Sequence, residues 1–362
     1  MKKYLDGNAI VYCDGAFNTP NGKTAHGLVR FTERYKVLSV IDAKYAGKDA
    51  GQVLDGHPVD IPVFESLQTA FDMAKSKGLK PEYFVIGLAP DGGRLPQDAR
   101  NTVLKAIDLG MNIVCGLHDF LSEDSEIRDR AQSKKVSIQD IRKPPHRKDL
   151  HFFTGEIEKV NSLKIAILGT DSAVGKRTTA WVLVHALRKM NIKTEMVGTG
   201  QTAWMQGAKY SLVMDSLVND FVAGEIEHAV VSAWKDGAEV IVIEGQGSLM
   251  NPAYPGGFEI LAAGRPDIVI MQHAPARKEY DGFPGYPLHP LKKQIEAVEF
   301  LSGKPVVAVT INHENIQKSK VKAVCQEVSD RVKLPVFDVL IEGGDRLASV
   351  VTQHLKKKAV TA

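Results

Sequence analysis

Cysteine is scarce in this sequence, and neither sign of charge is in large excess. The three cysteines, Cys13, Cys115 and Cys325, are far apart and match neither a zinc-ligand nor a disulfide spacing. Each lies in or beside an apolar run, so we expect buried free thiols and a reducing, cytoplasmic location. The formal net charge of +3 is too small to indicate nucleic acid or an anionic membrane as a partner.

Long apolar runs are also missing. No stretch reaches the roughly 18 apolar residues that a transmembrane helix needs. The lysines that follow Met1 precede no apolar core of a signal peptide. There is no internal repeat and no low-complexity segment. With 362 residues, 44% of them hydrophobic and 25% charged, the composition is that of a globular protein with two domains.

Short apolar runs alternate with helical patterns along nearly the whole chain. The runs are continuous rather than alternating, which is typical of parallel strands buried on both faces. Strand–helix alternation of this kind predicts right-handed βαβ units and a doubly wound sheet. No G-x-G-x-x-G motif follows the first predicted strand, which ends at Cys13, so the ordinary dinucleotide fingerprint is absent.

A glycine-rich segment in the second half has the context of a phosphate-binding P-loop. Leu163–Leu168 is a predicted strand, and a helical pattern follows from Ala180. In such loops the backbone N–H groups point inward, the helix N-terminus adds positive charge, and a lysine reaches the phosphate. The residues that we expect to hold phosphate are Gly169, Thr170, Asp171, Ser172, Ala173, Val174, Gly175, Lys176, Arg177, Thr178 and Thr179.

This loop departs from the usual pattern in two ways. Five residues rather than four separate Gly169 from Gly175. Arg177 occupies the position after Lys176 where a serine or threonine normally binds Mg²⁺. The sequence therefore predicts phosphate binding, but not Mg²⁺-dependent cleavage of a nucleoside triphosphate.

The domains follow from these patterns. We predict an α/β fold with two doubly wound domains, both with mainly parallel sheets. The first is Rossmann-like and spans residues 1–155, and the second is P-loop NTPase-like and spans residues 156–362. The polar, proline-broken segment 143–149 indicates that the boundary lies near there.

Polar side chains follow several predicted strands of the second domain, where ligands of doubly wound sheets bind. Glu244 ends an apolar strand as in a Walker B element, and it could hold Mg²⁺ through water or act as a general base. Asp215 is the other metal candidate, although it could equally face solvent. Further candidates, each with local turn or packing chemistry as the alternative, are Thr199, Gln201, Thr202 and Gln246 for substrate, His273 as a base, Arg277 as an anion clamp and Asn312 for a purine edge.

The ordered motifs resemble one family over nearly the whole chain. That family was long catalogued as a domain of unknown function and is now called D-glutamate N-acetyltransferase-like. The second half alone is also similar to the dethiobiotin synthetase type of P-loop protein. The segments that carry the family resemblance are Gly22-Lys-Thr-Ala-His-Gly27, Ala89-Pro-Asp-Gly-Gly93, Gly116-Leu-His118, Asp140-Ile-Arg142, the P-loop, Gly198-Thr-Gly-Gln-Thr202, Asp220-Phe-Val-Ala-Gly224, Glu244-Gly-Gln-Gly247 and Gln272-His273.

The resemblance implies transfer of an acetyl group from acetyl-CoA to the amine of an acidic amino acid, D-glutamate. The P-loop would then hold the phosphates of CoA, and Arg177 would stand in for a metal. Glu244, His273 or His118 would be the base, and Arg142 or Arg277 would bind the substrate carboxylates. The alternatives are an ATP- and Mg²⁺-dependent ligase or kinase and a nucleotide-binding regulator. We expect a homo-oligomer with a small-molecule substrate.

Overall fold

The computed structural model describes residues 5–361, apart from the side chains of Asp91 and of residues 359–361. The chain forms two compact units. The first contains residues 5–144 together with Gln201–Gly207, and the second contains Pro145–Gly200 and residues 208–361.

A six-stranded parallel sheet forms the centre of the first unit, with the strand order β3-β2-β1-β4-β5-β6. Its strands are β1 (Gly7–Tyr12), β2 (Tyr35–Ile41), β3 (Val63–Phe64), β4 (Tyr83–Ile86), β5 (Asn112–Cys115) and β6 (Ile138–Asp140). The helices between them are α1 (Lys23–Arg30), α2 (Ala50–Asp55), α3 (Leu67–Ser76), α4 (Gln97–Asp108) and α5 (Ser125–Lys134).

A seven-stranded parallel sheet forms the centre of the second unit, with the strand order β13-β12-β11-β7-β10-β8-β9. Its strands are β7 (Leu163–Gly169), β8 (Thr194–Gly198), β9 (Tyr210–Ser211), β10 (Val240–Glu244), β11 (Ile268–His273), β12 (Val306–Ile311) and β13 (Val336–Phe337). The helices of this part of the sequence are α6 (Lys176–Lys189), α7 (Gln201–Gln206), α8 (Asn219–Lys235), α9 (Phe258–Gly264), α10 (Leu291–Ser302), α11 (Val321–Val332), α12 (Val339–Glu342) and α13 (Asp345–Thr361).

These sheets confirm the predicted α/β fold with two doubly wound domains. The order of the first sheet is that of a Rossmann fold, although the glycine fingerprint is absent. In the second sheet β7 lies at the centre between β10 and β11, and every residue of β7 is buried. Because the strands are parallel, the residues that follow β7, β10 and β11 meet at one edge of this sheet.

Local differences from the predicted elements have simple causes. The strands β3 and β9 are only two residues long, too short to leave a hydrophobic pattern. The apolar run 336–340 forms a strand only as far as Phe337, because Asp338 caps α12 by accepting from the N–H groups of Leu340 and Ile341. Cys325 is half-buried rather than buried. Among the described residues, no helix is long and apolar enough to cross a membrane.

The short helix α7 belongs to the first unit although its sequence neighbours belong to the second. Met205 is fully buried in the apolar core of the first unit. The guanidinium of Arg34 lies 3.8 Å from the centre of the Trp204 ring, and its Nε donates to the Trp204 carbonyl at 2.8 Å. The contacts of α7 with the core and with Arg34 therefore attach this helix to the first unit.

Replacing Gln206 should destabilise the first unit. Its buried Nε2 donates to the carbonyl oxygens of Gly27 and Phe31 at 2.8 and 2.9 Å, so Gln206→Ala leaves both without this donor. We expect a loss of about 1–3 kcal/mol, measured as a lower Tm of the full chain. Gln326→Ala, which removes an exposed glutamine from α11, is the control. Equal Tm values for the two variants would contradict this role for Gln206.

Candidate functional site

The P-loop connects the central strand β7 to α6, as the sequence predicts. Gly175 caps α6 with φ of +108°, a left-handed conformation that glycine adopts without strain. Ala173 also has a positive φ, of +52°, at the exposed tip of the loop. The loop thus places the first turn of a helix of 14 residues at the edge of the sheet. A helix N-terminus in this position is the usual geometry of an anion-binding site.

Lys176 is buried at the start of α6, and its ammonium group is held by the backbone. Its Nζ donates to the carbonyl oxygens of Asp171 and Gly247, each at 2.7 Å. Two glycines make room for its aliphatic part. A Cβ atom at Gly169 or Gly245 would lie 3.0 Å from Cδ of Lys176, and the one at Gly245 would also lie 2.2 Å from the carbonyl oxygen of Ile167.

Asp171 organises the loops around the P-loop. The residue is fully buried. Its Oδ1 accepts from the backbone N–H of Ser172 and from Nδ2 of Asn251, both at 2.7 Å. Its Oδ2 accepts from Nη1 of Arg277 and from the backbone N–H of Asp281, both at 2.8 Å. One carboxylate therefore connects three loops, because Asn251 follows β10 whereas Arg277 and Asp281 follow β11.

Arg277 is engaged within the protein. Besides Asp171, it binds the Glu314 carboxylate with Nε and Nη2 at 2.8 and 2.9 Å, and Nη1 also donates to the Ser172 carbonyl at 2.7 Å. Burial works to lower the pKa of Arg277, but its bonds to Glu314 and Asp171 prevail and raise it. Asn312 lies beside this group, and its Oδ1 accepts from the backbone N–H of Glu314. The geometry thus favours a role for Arg277 in stabilising the loops of the site rather than in binding a substrate carboxylate.

Glu244 ends β10 with only 4% of its surface exposed. Its Oε2 accepts from the backbone N–H of Thr199 at 2.9 Å, and the Thr199 hydroxyl donates to the Glu244 carbonyl. Gln246 extends this network with a bond from Nε2 to the Thr199 hydroxyl at 3.0 Å. Burial raises the pKa of Glu244 despite the nearby charges of Arg177 and Lys176.

His273 is buried at the end of β11, where its Nδ1 lies 3.0 Å from the hydroxyl oxygen of Thr170. Burial lowers the pKa of His273 to about 4, and the charges of Arg331 and Arg277 add to the effect. The neighbouring Gln272 accepts from the Thr179 hydroxyl. The two residues that end β11 therefore both bond to hydroxyl groups of the P-loop.

The two metal candidates differ in their exposure to solvent. Asp215 is exposed, whereas Glu244 is buried and bonded to backbone N–H groups. Between residues 5 and 361, no three His, Cys, Asp or Glu side chains come together as a group that could hold a metal ion.

Four other candidates belong to the first unit. Arg142 is buried and donates from Nε to the Gly116 carbonyl at 2.8 Å, and the side chain of Gln201 also packs against Gly116. Thr202 pairs its hydroxyl with that of Thr24 at 2.9 Å. The other member, His118, is exposed.

The P-loop domain model of the family called domain of unknown function DUF1611 matches residues 151–348 of this chain. Its Rossmann-like N-terminal model matches residues 43–144. The chain belongs to the DUF1611 family. This confirms the family indicated by the ordered motifs of the sequence.

Two named enzymes and one solved structure are similar to this DUF1611 chain. It is 27% identical over 290 residues to a D-glutamate N-acetyltransferase of Tritonibacter scottomollicae, covering 78% of this chain and 84% of the relative. It is 29% identical over 276 residues to one of a Pseudoalteromonas species, covering 74% and 80%. A crystal structure of a DUF1611 family protein from Anabaena variabilis superimposes with a TM-score of 0.87 at 26% identity, covering 96% of this chain and 99% of that one.

Several residues of this DUF1611 site escaped the sequence analysis. Asn251, Asp281 and Glu314 carry no motif, and each meets its partner from 37 to 110 positions away. The hydroxyl of Ser248 is buried and has no hydrogen-bond partner among the described residues. The signal for Asn251 is its position a few residues after the strand that ends at Glu244.

The pH dependence of stability should reveal the buried His273. Its folded pKa of about 4 lies below the ordinary 6.5, so between these values the unfolded chain binds a proton that the folded chain does not. This contribution to stability is fully present above pH 6.5 and is lost as the pH falls towards 4. We expect His273→Gln to show a smaller drop in Tm between pH 7 and pH 5 than the wild type. The exposed His57→Gln is the control, and an unchanged drop for His273→Gln would contradict the assignment.

Proposed function

We propose that this protein is an N-acetyltransferase that transfers the acetyl group of acetyl-CoA to the amine of an acidic amino acid, D-glutamate. Two relatives that match most of the chain bear the name D-glutamate N-acetyltransferase. The observation that carries the proposal is the P-loop with Arg177 after Lys176. A loop of this kind suits phosphates that are bound but not cleaved.

The residues of the loop fit the phosphates of CoA. The first turn of α6 and the ammonium group of Lys176 provide positive charge at the carboxyl end of β7. Arg177 adds a fixed cation beside them, which can neutralise phosphate oxygens without a metal. Lys176, Arg177 and the backbone N–H groups of the loop are therefore our candidates for holding CoA.

Glu244 is the best candidate for the general base. A base is most effective when its pKa lies close to the working pH, and burial moves the pKa of Glu244 upward, in that direction. The same effect lowers the pKa of His273 to about 4, so its imidazole is a weak base at neutral pH. His118 lies in the first unit and is exposed. Of the two buried candidates, Glu244 is the one whose pKa shift favours proton abstraction.

The reaction would form a C–N bond to the amine as the C–S bond of the thioester breaks. Glu244 would take the proton that the amine nitrogen loses, and CoA would leave as its thiolate. Acetyl-CoA supplies the activated acetyl group. Backbone N–H groups of the segment from Gly245 to Gly247 are candidates for stabilising the negative charge on the carbonyl oxygen. Arg277 is engaged by Asp171 and Glu314, so it is less suited to bind a substrate carboxylate.

Ligand binding tests the role of the P-loop directly. A ligand that binds only the folded state raises Tm by mass action, so CoA and acetyl-CoA should each raise the Tm without Mg²⁺. Lys176→Ala should abolish most of this shift because it removes a buried cation. Lys189→Ala, at the exposed end of the same helix, is the matched control and should keep the full shift.

ATP with and without Mg²⁺ forms the opposing arm of the same experiment. A Mg²⁺-dependent shift with ATP, and none with either CoA species, would overturn the acetyltransferase proposal. It would favour the ligase or kinase alternative, which the P-loop by itself also accommodates.

Substitution of Glu244 tests the base. Glu244→Gln keeps the size and the hydrogen-bonding shape of the side chain but cannot accept the proton. We expect kcat for acetylation of D-glutamate to fall by about 10²- to 10⁴-fold, while CoA still raises the Tm. The wild-type rate should decline as the pH falls through the raised pKa of Glu244, and the residual rate of the variant should lack that decline. The exposed Glu296→Gln is the control, and a variant with wild-type kcat would exclude Glu244 as the base.

A further inference from the structure

Three aromatic side chains lie together on the two loops that Asp171 connects to the P-loop. The ring centroid of Phe283 lies 6.4 Å from that of Tyr254 and 6.2 Å from that of Tyr286, with interplanar angles of 69° and 82°. Both tyrosines are 56% exposed. We call this group, Tyr254, Phe283 and Tyr286, the aromatic platform.

Asn251 positions the first member of the platform. Its Nδ2 donates to Asp171, and its Oδ1 accepts from the backbone N–H groups of Ala253 and Tyr254 at 2.9 and 2.8 Å. One side chain therefore joins the carboxylate of the P-loop to the backbone of Tyr254. The backbone of Ser248 adds a second constraint, since its N–H donates to the Tyr254 carbonyl at 3.2 Å.

A short hairpin positions the other two members. The N–H of Tyr280 donates to the Tyr286 carbonyl at 3.0 Å, and the N–H of Leu288 donates to the Lys278 carbonyl at 2.8 Å. The N–H of Asp281 anchors this hairpin to Asp171. Phe283 is two residues further on, so its Cα lies within about 8 Å of that of Asp281.

The rings of the platform have free surface for a planar ligand. Contacts in which rings meet edge to face cover at most one face of each tyrosine, and more than half of each tyrosine is exposed. Stacking on such rings is the common way in which proteins hold a nucleotide base, because every base has an apolar π-face. A nucleotide carries its base one ribose away from its phosphates, and the loops that carry the platform are bonded to Asp171 of the phosphate-binding loop through Asn251 and Asp281.

We propose that the aromatic platform is the base-binding subsite of the P-loop ligand, with Tyr254 or Tyr286 stacked on an adenine ring. The inference rests on the proposed function for the identity of the ligand, which is then CoA. For the placement of the rings it rests on the bonds of Asp171 and Asn251 and on those of the hairpin. The platform would thus select ligands that carry an adenine, whereas the P-loop would bind their phosphates.

Titration calorimetry with ligands that have or lack the base tests this subsite. Tyr254→Ala, Tyr286→Ala and the corresponding phenylalanine variants should be compared in the full-length protein. We expect at least one alanine variant to bind CoA about 5- to 100-fold more weakly than the wild type. Its phenylalanine counterpart should bind within about twofold, because the ring is kept. Binding of 4′-phosphopantetheine, which lacks adenosine, should not change in any variant.

Three controls make the outcome decisive. Phe300→Ala removes an aromatic ring that is 88% exposed on α10 and should leave CoA binding unchanged. The Tm of every variant without ligand should match the wild type. In addition, the fluorescence of etheno-CoA should change on binding to the phenylalanine variant and not on binding to the affected alanine variant.

The outcomes separate this inference from the proposed function. If both alanine variants bind CoA like the wild type, or if CoA and 4′-phosphopantetheine weaken equally, the platform is not a base subsite. If the wild type binds ATP and not CoA, the proposed function fails, and the comparison is made with ATP and tripolyphosphate instead. A selective loss of ATP binding would then still support the platform. A wild-type protein that binds neither CoA nor ATP would overturn it.

Discussion

The buried carboxylate of Asp171 is the interaction on which the rest of the site depends. A buried charge is costly unless hydrogen bonds and opposite charge compensate it, and Asp171 has both in its four donors. Two donors are backbone N–H groups, which fix the course of the chain at Ser172 and Asp281. The same carboxylate thus shapes the P-loop and holds two further loops in place, so that the P-loop and the aromatic platform share one anchor.

The side chains of Lys176 and Arg277 are both held in place near Asp171. Glycines at 169 and 245 allow the stem of Lys176 to run between β7 and β10, where any Cβ would crowd it. Its ammonium group then bonds to two carbonyl oxygens, which are weaker partners than a phosphate oxygen. Arg277, by contrast, already has two carboxylates. The arginine that is strongly paired inside the protein supports the loops, and the lysine whose ammonium group bonds to two carbonyl oxygens is suited to bind an anion.

Local sequence patterns explain why part of the candidate site could be predicted. The P-loop and the strand ending at Glu244 carry their signals within a few residues, and parallel sheets bring such strand ends to one edge. Distant partners leave no such signal. Nothing in the sequence near Asp171 indicates that it meets Arg277, 106 positions away, so it was expected to contact a ligand. Likewise the sequence places α7 in the P-loop half, whereas the contacts of Trp204, Met205 and Gln206 assign it to the first unit.

Burial has opposite effects on the pKa values of the two buried candidate bases, Glu244 and His273. Removing a group from water disfavours its charged form. For Glu244 the charged form is the one without the proton, so burial increases the affinity of its carboxylate for protons. For His273 the charged form carries the proton, so the same effect decreases the affinity of its imidazole. From the sequence alone, Glu244 and His273 are equivalent candidates, because both follow predicted strands. Their burial distinguishes them, since it makes Glu244 a stronger base and favours a neutral His273 beside the Thr170 hydroxyl.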